Sequence, residues 1–96
     1  MALVRTPVEI ERKRRINLAL WAFAYEMKST SLVSDAKFDS EAKLVDLSIS
    51  TDNSVMDTFF KTHFQNFTGQ WIHKHPQLDR IEKIYDLVTG GKDEGD

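Results

Sequence analysis

Apolar residues recur every three or four positions along most of the chain, and no stretch alternates apolar and polar side chains as a strand would. The first run begins at Thr6-Pro7-Val8-Glu9. Threonine can cap a helix, proline suits the first helical position, and glutamate three residues after the threonine completes a capping box. Ile10, Ile16, Leu20, Phe23, Ala24 and Met27 follow at helical spacing, with Trp21 alongside. This predicts a first helix over 7–28, broken by Ser29-Thr30-Ser31. Ser34 is a natural cap for a second helix over 35–47, with Asp35 at its positive end and Phe38, Ala42 and Val45 as its apolar stripe. Residues 48–53 are polar and turn-like. Ser54, with Asp57 three residues on, reads as the cap of a third helix carrying Met56, Phe59, Phe60 and Phe64. Residues 65–75 read as an ordered loop pinned by Phe67 and Trp71. His75-Pro76, with His75 as cap, opens a fourth helix whose face is Leu78, Ile81, Tyr85 and Val88, and Gly90-Gly91 ends it. The expected fold is all-α: one small four-helix domain over 1–91, containing an N-terminal helical hairpin, then a disordered polar tail over 92–96.

Length and composition narrow the range of functions. A chain of 96 residues has room for one core, and two tryptophans with six phenylalanines supply large pieces of surface to bury in it. The net charge of −2 gives no general attraction to nucleic acid or anionic lipid. Without cysteine there is no disulfide, thiol nucleophile or Cys-ligated zinc. No apolar run approaches the roughly 18 residues of a membrane span, and the first residues lack the apolar core of a signal peptide. The expectation is a cytoplasmic protein with no membrane association.

One constellation suggests a ligand. Asp35 and Asp39 stand four residues apart with Phe38 between them, so on a helix the three share a face. The hairpin would set that face beside Tyr25, near the end of the first helix. Two carboxylates can accept hydrogen bonds from a ribose diol or offset a cation, and an aromatic ring can stack on a charged one. As structural elements alone, Asp35 would complement the helix dipole, Phe38 would enter the core and Asp39 would be a solvated acid.

The segment over 11–47 resembles the small N-terminal helical hairpin of NAD-dependent DNA ligases. In that module a tyrosine-bearing helix and a short link precede a second helix opened by a Ser/Pro-Asp-Ala-Glu-Tyr-Asp motif. Ser34-Asp35-Ala36-Lys37-Phe38-Asp39 is similar to the motif, with Phe38 in place of the tyrosine and Lys37 in place of the acid, and Tyr25 falls at the spacing of a family tyrosine. The family module recognises the nicotinamide mononucleotide half of NAD. The resemblance thus implies ligand contacts for Tyr25, Asp35, Phe38 and Asp39, and an NMN- or NAD-like ligand rather than a resident cofactor. Ligase chemistry itself needs a nucleophilic lysine in a Lys-x-Asp-Gly motif on a much larger domain, which this chain lacks, so no enzyme is expected.

Other clusters offer alternatives. Arg12, Lys13, Arg14 and Arg15 echo the DNA-contacting stretch of basic helix-loop-helix proteins, although four consecutive residues span about 300° of a helix and cannot all face one partner. His63, His73 and His75 have no cysteine or obvious acid beside them, and no metal site is expected. Aromatics beyond what four short helices can bury would mark a partner surface, and Phe67 and Trp71 are where that surplus falls. The leading expectation is a small non-catalytic accessory or inhibitor protein of the kind phage and mobile elements encode, acting through a protein partner and recognising a nicotinamide-nucleotide-like ligand. The alternatives are a nucleic-acid-associated regulator using the basic stretch, and a structural or assembly component. Partner identity and oligomeric state are not legible.

Overall fold

Thr6 and Glu9 form the expected capping box: the Thr6 hydroxyl accepts from the Glu9 amide, and the Glu9 carboxylate accepts from the Thr6 amide at 3.0 Å. They open helix α1, Pro7–Lys28. The computed structural model describes residues 6–90, so the tail expected over 92–96 lies outside the described residues. α1 ends where Ser29 turns left-handed (φ 52°) and the Thr30 amide reaches back to the Ala24 carbonyl, a closure that satisfies carbonyls left open by the last turn. The other helices are α2, Asp35–Lys43; α3, Ser54–His63; and α4, Leu78–Val88, with a short 3-10 helix at Gln70–Lys74. The fold is all-α, and no strand occurs among the described residues.

α1 is the organising element. α2, α4 and the 3-10 helix all pack on it. Its second half is therefore buried on most sides, through Leu18, Ala19, Leu20, Ala22, Phe23 and Ala24. The three alanines let neighbouring backbones come close, while Phe23 meets Tyr85 of α4 edge-on at 5.8 Å between ring centres. Phe59, Phe60 and Phe64 stack around Trp71, with centroid separations of 5.2–5.9 Å. Trp71 is therefore core, 4 % exposed, and not the partner surface its position in the sequence suggested. Its indole N–H is buried with no hydrogen-bond acceptor among the described residues, a cost of about 1–3 kcal/mol that ring packing must offset.

The basic stretch of α1 is also turned inward. Arg15 is 0 % exposed. Its guanidinium donates to Glu11 at 2.9 Å, to Asp57 of α3 at 2.8 Å, and to the carbonyls of Asp46 and Ile49 at 2.8 and 3.1 Å, with the Phe60 ring 5.4 Å away. Arg14 pairs with Glu11 and Glu41, and Arg12 donates to the Thr51 carbonyl and lies near Asp52. Among the four, Lys13 alone is exposed with no ion pair among the described residues. Arg14 and Arg15 thus turn donors toward groups of the same chain, and Arg15 is fully enclosed. Arg12 is largely committed too.

The same network explains where element boundaries differ from expectation. α2 stops at Lys43 and not at 47. Leu44 and Val45 close it with bonds three residues back, and beyond them the Asp46 amide donates to Glu11 while the Asp46 carbonyl accepts from Arg15. A helix through 47 would need those backbone groups for its own ladder. α3 is capped by Asn53, whose side-chain oxygen accepts from the Met56 amide, and not by Ser54. Asp57 is released from capping and instead accepts from Arg15 and from the Thr51 amide and hydroxyl. α4 begins at Leu78, so His75 is no cap; its Nδ1 accepts from the Gln77 amide.

Candidate functional site

Tyr25 and Trp21, four residues apart on one face of α1, stand beside the opening turn of α2, with Ala22 and Glu26 one position round the same helix. Ser34 caps α2 by accepting from the Lys37 amide at 3.1 Å, which fixes the turn that carries Asp35, Phe38 and Asp39. These side chains, with the link at Ser31–Val33 and the loop at Phe67–Gln70, enclose a notch of about 350 Å³. Tyr25, Asp35, Phe38 and Asp39, singled out from sequence, all line it. Tyr25 is 62 % exposed.

The far wall comes from a loop that the sequence does not tie to the hairpin. Gly69 lies against α1: a side-chain carbon there would sit 3.2 Å from Ala22 Cβ and 3.6 Å from the tip of the Phe38 ring. Glycine lets the loop press onto both walls at once. The Thr68 hydroxyl accepts from the Gln70 amide and starts the 3-10 helix. From that helix His73 reaches Glu26 at 3.0 Å, pinning the loop to α1 at the rim. Phe67, 75 % exposed, stands over the opening.

The lining has a definite chemistry. Trp21, Tyr25, Phe38 and Phe67 supply aromatic surface, and Glu26, Asp35 and Asp39 supply carboxylates. Ser31, Thr68 and Gln70 add neutral hydrogen-bonding groups, and among the described residues no basic side chain lines the notch. Aromatic faces flanked by carboxylates suit a cation, and carboxylates with hydroxyls suit a diol. No Ser-His-acid or Cys-His arrangement lines it. Trp21 and Glu26 were not anticipated, although their spacing from Tyr25 and Ala22 is readable; Gly69 and Gln70 carried no local signal.

The remaining candidates disperse. His75 packs tilted against Phe59 at 4.8 Å between ring centres, and burial pushes its imidazole below the ordinary value, so it sits neutral near pH 7. Among the described residues no group of three His, Asp or Glu side chains is placed to hold a metal ion. No helix among them is long and apolar enough to cross a membrane. The chain matches no family model, no curated protein and no solved structure.

Proposed function

We propose that this chain is a small non-catalytic binding protein whose notch takes a ligand of the nicotinamide-nucleotide type, a ring cation joined to a ribose, and that it acts as an accessory factor on a protein partner. The observation that supports the reading is the meeting of Tyr25, Asp35, Phe38 and Asp39 in one notch of about 350 Å³, within the range of small-molecule sites. The ring would lie against Tyr25 and Phe38, while Asp35 and Asp39 would accept from the ribose hydroxyls and offset the positive charge. Phe67, large and apolar at the rim, is the side chain best placed to meet a partner or close over a ligand. Arg15 is enclosed, and Arg12 and Arg14 each give donors to groups of the chain itself, so the alternative of a DNA-binding regulator has less of that stretch to use.

Titration of NMN and NAD into the full chain, followed by amide shifts, tests the reading. Shifts centred on residues 21–26, 31–39 and 67–70 are expected, saturating at millimolar ligand or below. An unchanged spectrum at several millimolar of both compounds and of the phosphate-free riboside rejects it.

A further inference from the structure

We infer that the notch discriminates against phosphate, so that its preferred occupant is a phosphate-free pyridinium riboside, singly positive, rather than the mononucleotide or dinucleotide. The inference rests on the reading that the notch takes a ring cation joined to a ribose. It follows from the sign of every charge at hand. Glu26, Asp35 and Asp39 line the notch, and among the described residues no basic one does. A ring cation is attracted by all three, whereas a phosphate on the same ribose must sit within several ångströms of them in the direction of the opening.

The cations of neighbouring elements do not reverse this balance. Lys37 of α2 lies 3.9 Å from Glu41, and His73 lies 3.0 Å from Glu26. Lys28, at the end of α1, meets Glu82 at 3.3 Å and lies over the Phe23 and Tyr85 rings, toward α4. The positive end of α2 is the one remaining place where a phosphate might be held. There Ser34 already accepts the Lys37 amide and Asp35 occupies the first turn with its own negative charge. Neutral donors remain for the sugar, from Ser31, Thr68 and Gln70. The notch thus has charge partners for a ring cation and hydrogen-bonding partners for a diol, and no cation among its described lining to offset a dianion.

The test compares nicotinamide riboside with NMN by calorimetry or amide shifts on the full chain, at low and high salt. The riboside is expected to bind about tenfold more tightly at 50 mM salt, with the gap narrowing at 0.5 M as the carboxylates are screened. An Asp35→Asn/Asp39→Asn variant, checked for an unchanged melting curve, is expected to weaken the riboside and narrow the gap. NMN binding as tightly as the riboside, or more tightly, overturns the phosphate discrimination and leaves the cation-and-ribose site standing. Failure of both compounds to shift residues around the notch overturns the site itself, and the discrimination with it.

Discussion

The Arg15 guanidinium lies 2.8 Å from the Asp57 carboxylate, joining α1 to α3 across 42 residues of chain. Around this pair the polar interior of the molecule is assembled. Glu11 holds the other edge of the guanidinium, Thr51 donates to Asp57 through both amide and hydroxyl, and two loop carbonyls accept the remaining Arg15 donors. Glu11, Arg15 and Thr51 are each at most 1 % exposed. A charge so enclosed is tolerated because its hydrogen-bonding capacity is almost fully used. Residues 44–53 have no helix or strand of their own, and this network holds them in place.

Arg15→Ala should therefore be among the most destabilising single changes in the chain. It leaves the half-buried Asp57 without its counter-charge and the buried Glu11 with Arg14 alone, which costs about 3–5 kcal/mol, much of the stability of a domain this size. Thermal denaturation followed by circular dichroism should show a fall on the order of 20 °C. Lys13→Ala, on the exposed side of the same helix, should change the melting temperature by no more than a few degrees.

Asp57 predicts the acid limb of stability. Burial alone would raise its pKa, but donation from the Thr51 hydroxyl and amide, together with Arg15, outweighs burial and holds the carboxyl below the ordinary carboxylate value. A carboxyl with a depressed folded-state pKa contributes stability that is present above the unfolded value, about 4, and is lost as pH falls through the folded one. The Asp57 contribution to the urea midpoint, read as the difference between wild type and Asp57→Asn, should hold steady from pH 7 to about 5 and drop below about pH 4. In Asp57→Asn the protein should be less stable at pH 7, and its acid limb should be shallower.

His75 should add a separate, gentler dependence near neutrality. Its ring packs on Phe59, and Nδ1 accepts from the Gln77 amide, so protonation both charges a half-buried ring and removes an acceptor. The folded pKa is lowered by burial, so its contribution is complete above the ordinary value of 6.5 and is lost as pH falls through the folded pKa. Comparing wild type with His75→Gln between pH 7.5 and 5.5 checks this: the variant should lose less stability over that interval.

Gly69→Ala tests whether the loop must lie against α1. Gly69 has φ −101°, which alanine adopts readily, so the effect is one of space. The new methyl would meet Ala22 at 3.2 Å and the Phe38 ring at 3.6 Å, forcing the loop outward. A loss of about 1–2 kcal/mol is expected, with weaker ligand binding, because both walls of the notch shift. An unchanged melting temperature with unchanged titration would show that the loop yields freely.

Local chemistry determined much of this molecule. The Thr6–Glu9 box and Pro7 set the start of α1 at the expected residue, because a cap needs only neighbours within three positions. The four-residue spacing of Asp35 and Asp39 placed both on one side of α2, and Ser34 capped that helix as its side chain allows. Tyr25 fell opposite because a short link forces two helices to fold back. What tertiary structure alone decided was the destination of groups with more than one use. Arginine at 14 and 15 reads as a solvated or DNA-facing charge until Asp57, Glu41 and the 46–51 loop carbonyls are brought to it from distant sequence. Trp71 reads as surplus aromatic surface until α3 closes around it, and Gly69 reads as a loop residue until it meets Ala22 and Phe38. Caps and helical faces are settled by short-range geometry; a buried charge or a shared cavity wall depends on contacts that exist only once the chain has closed on itself.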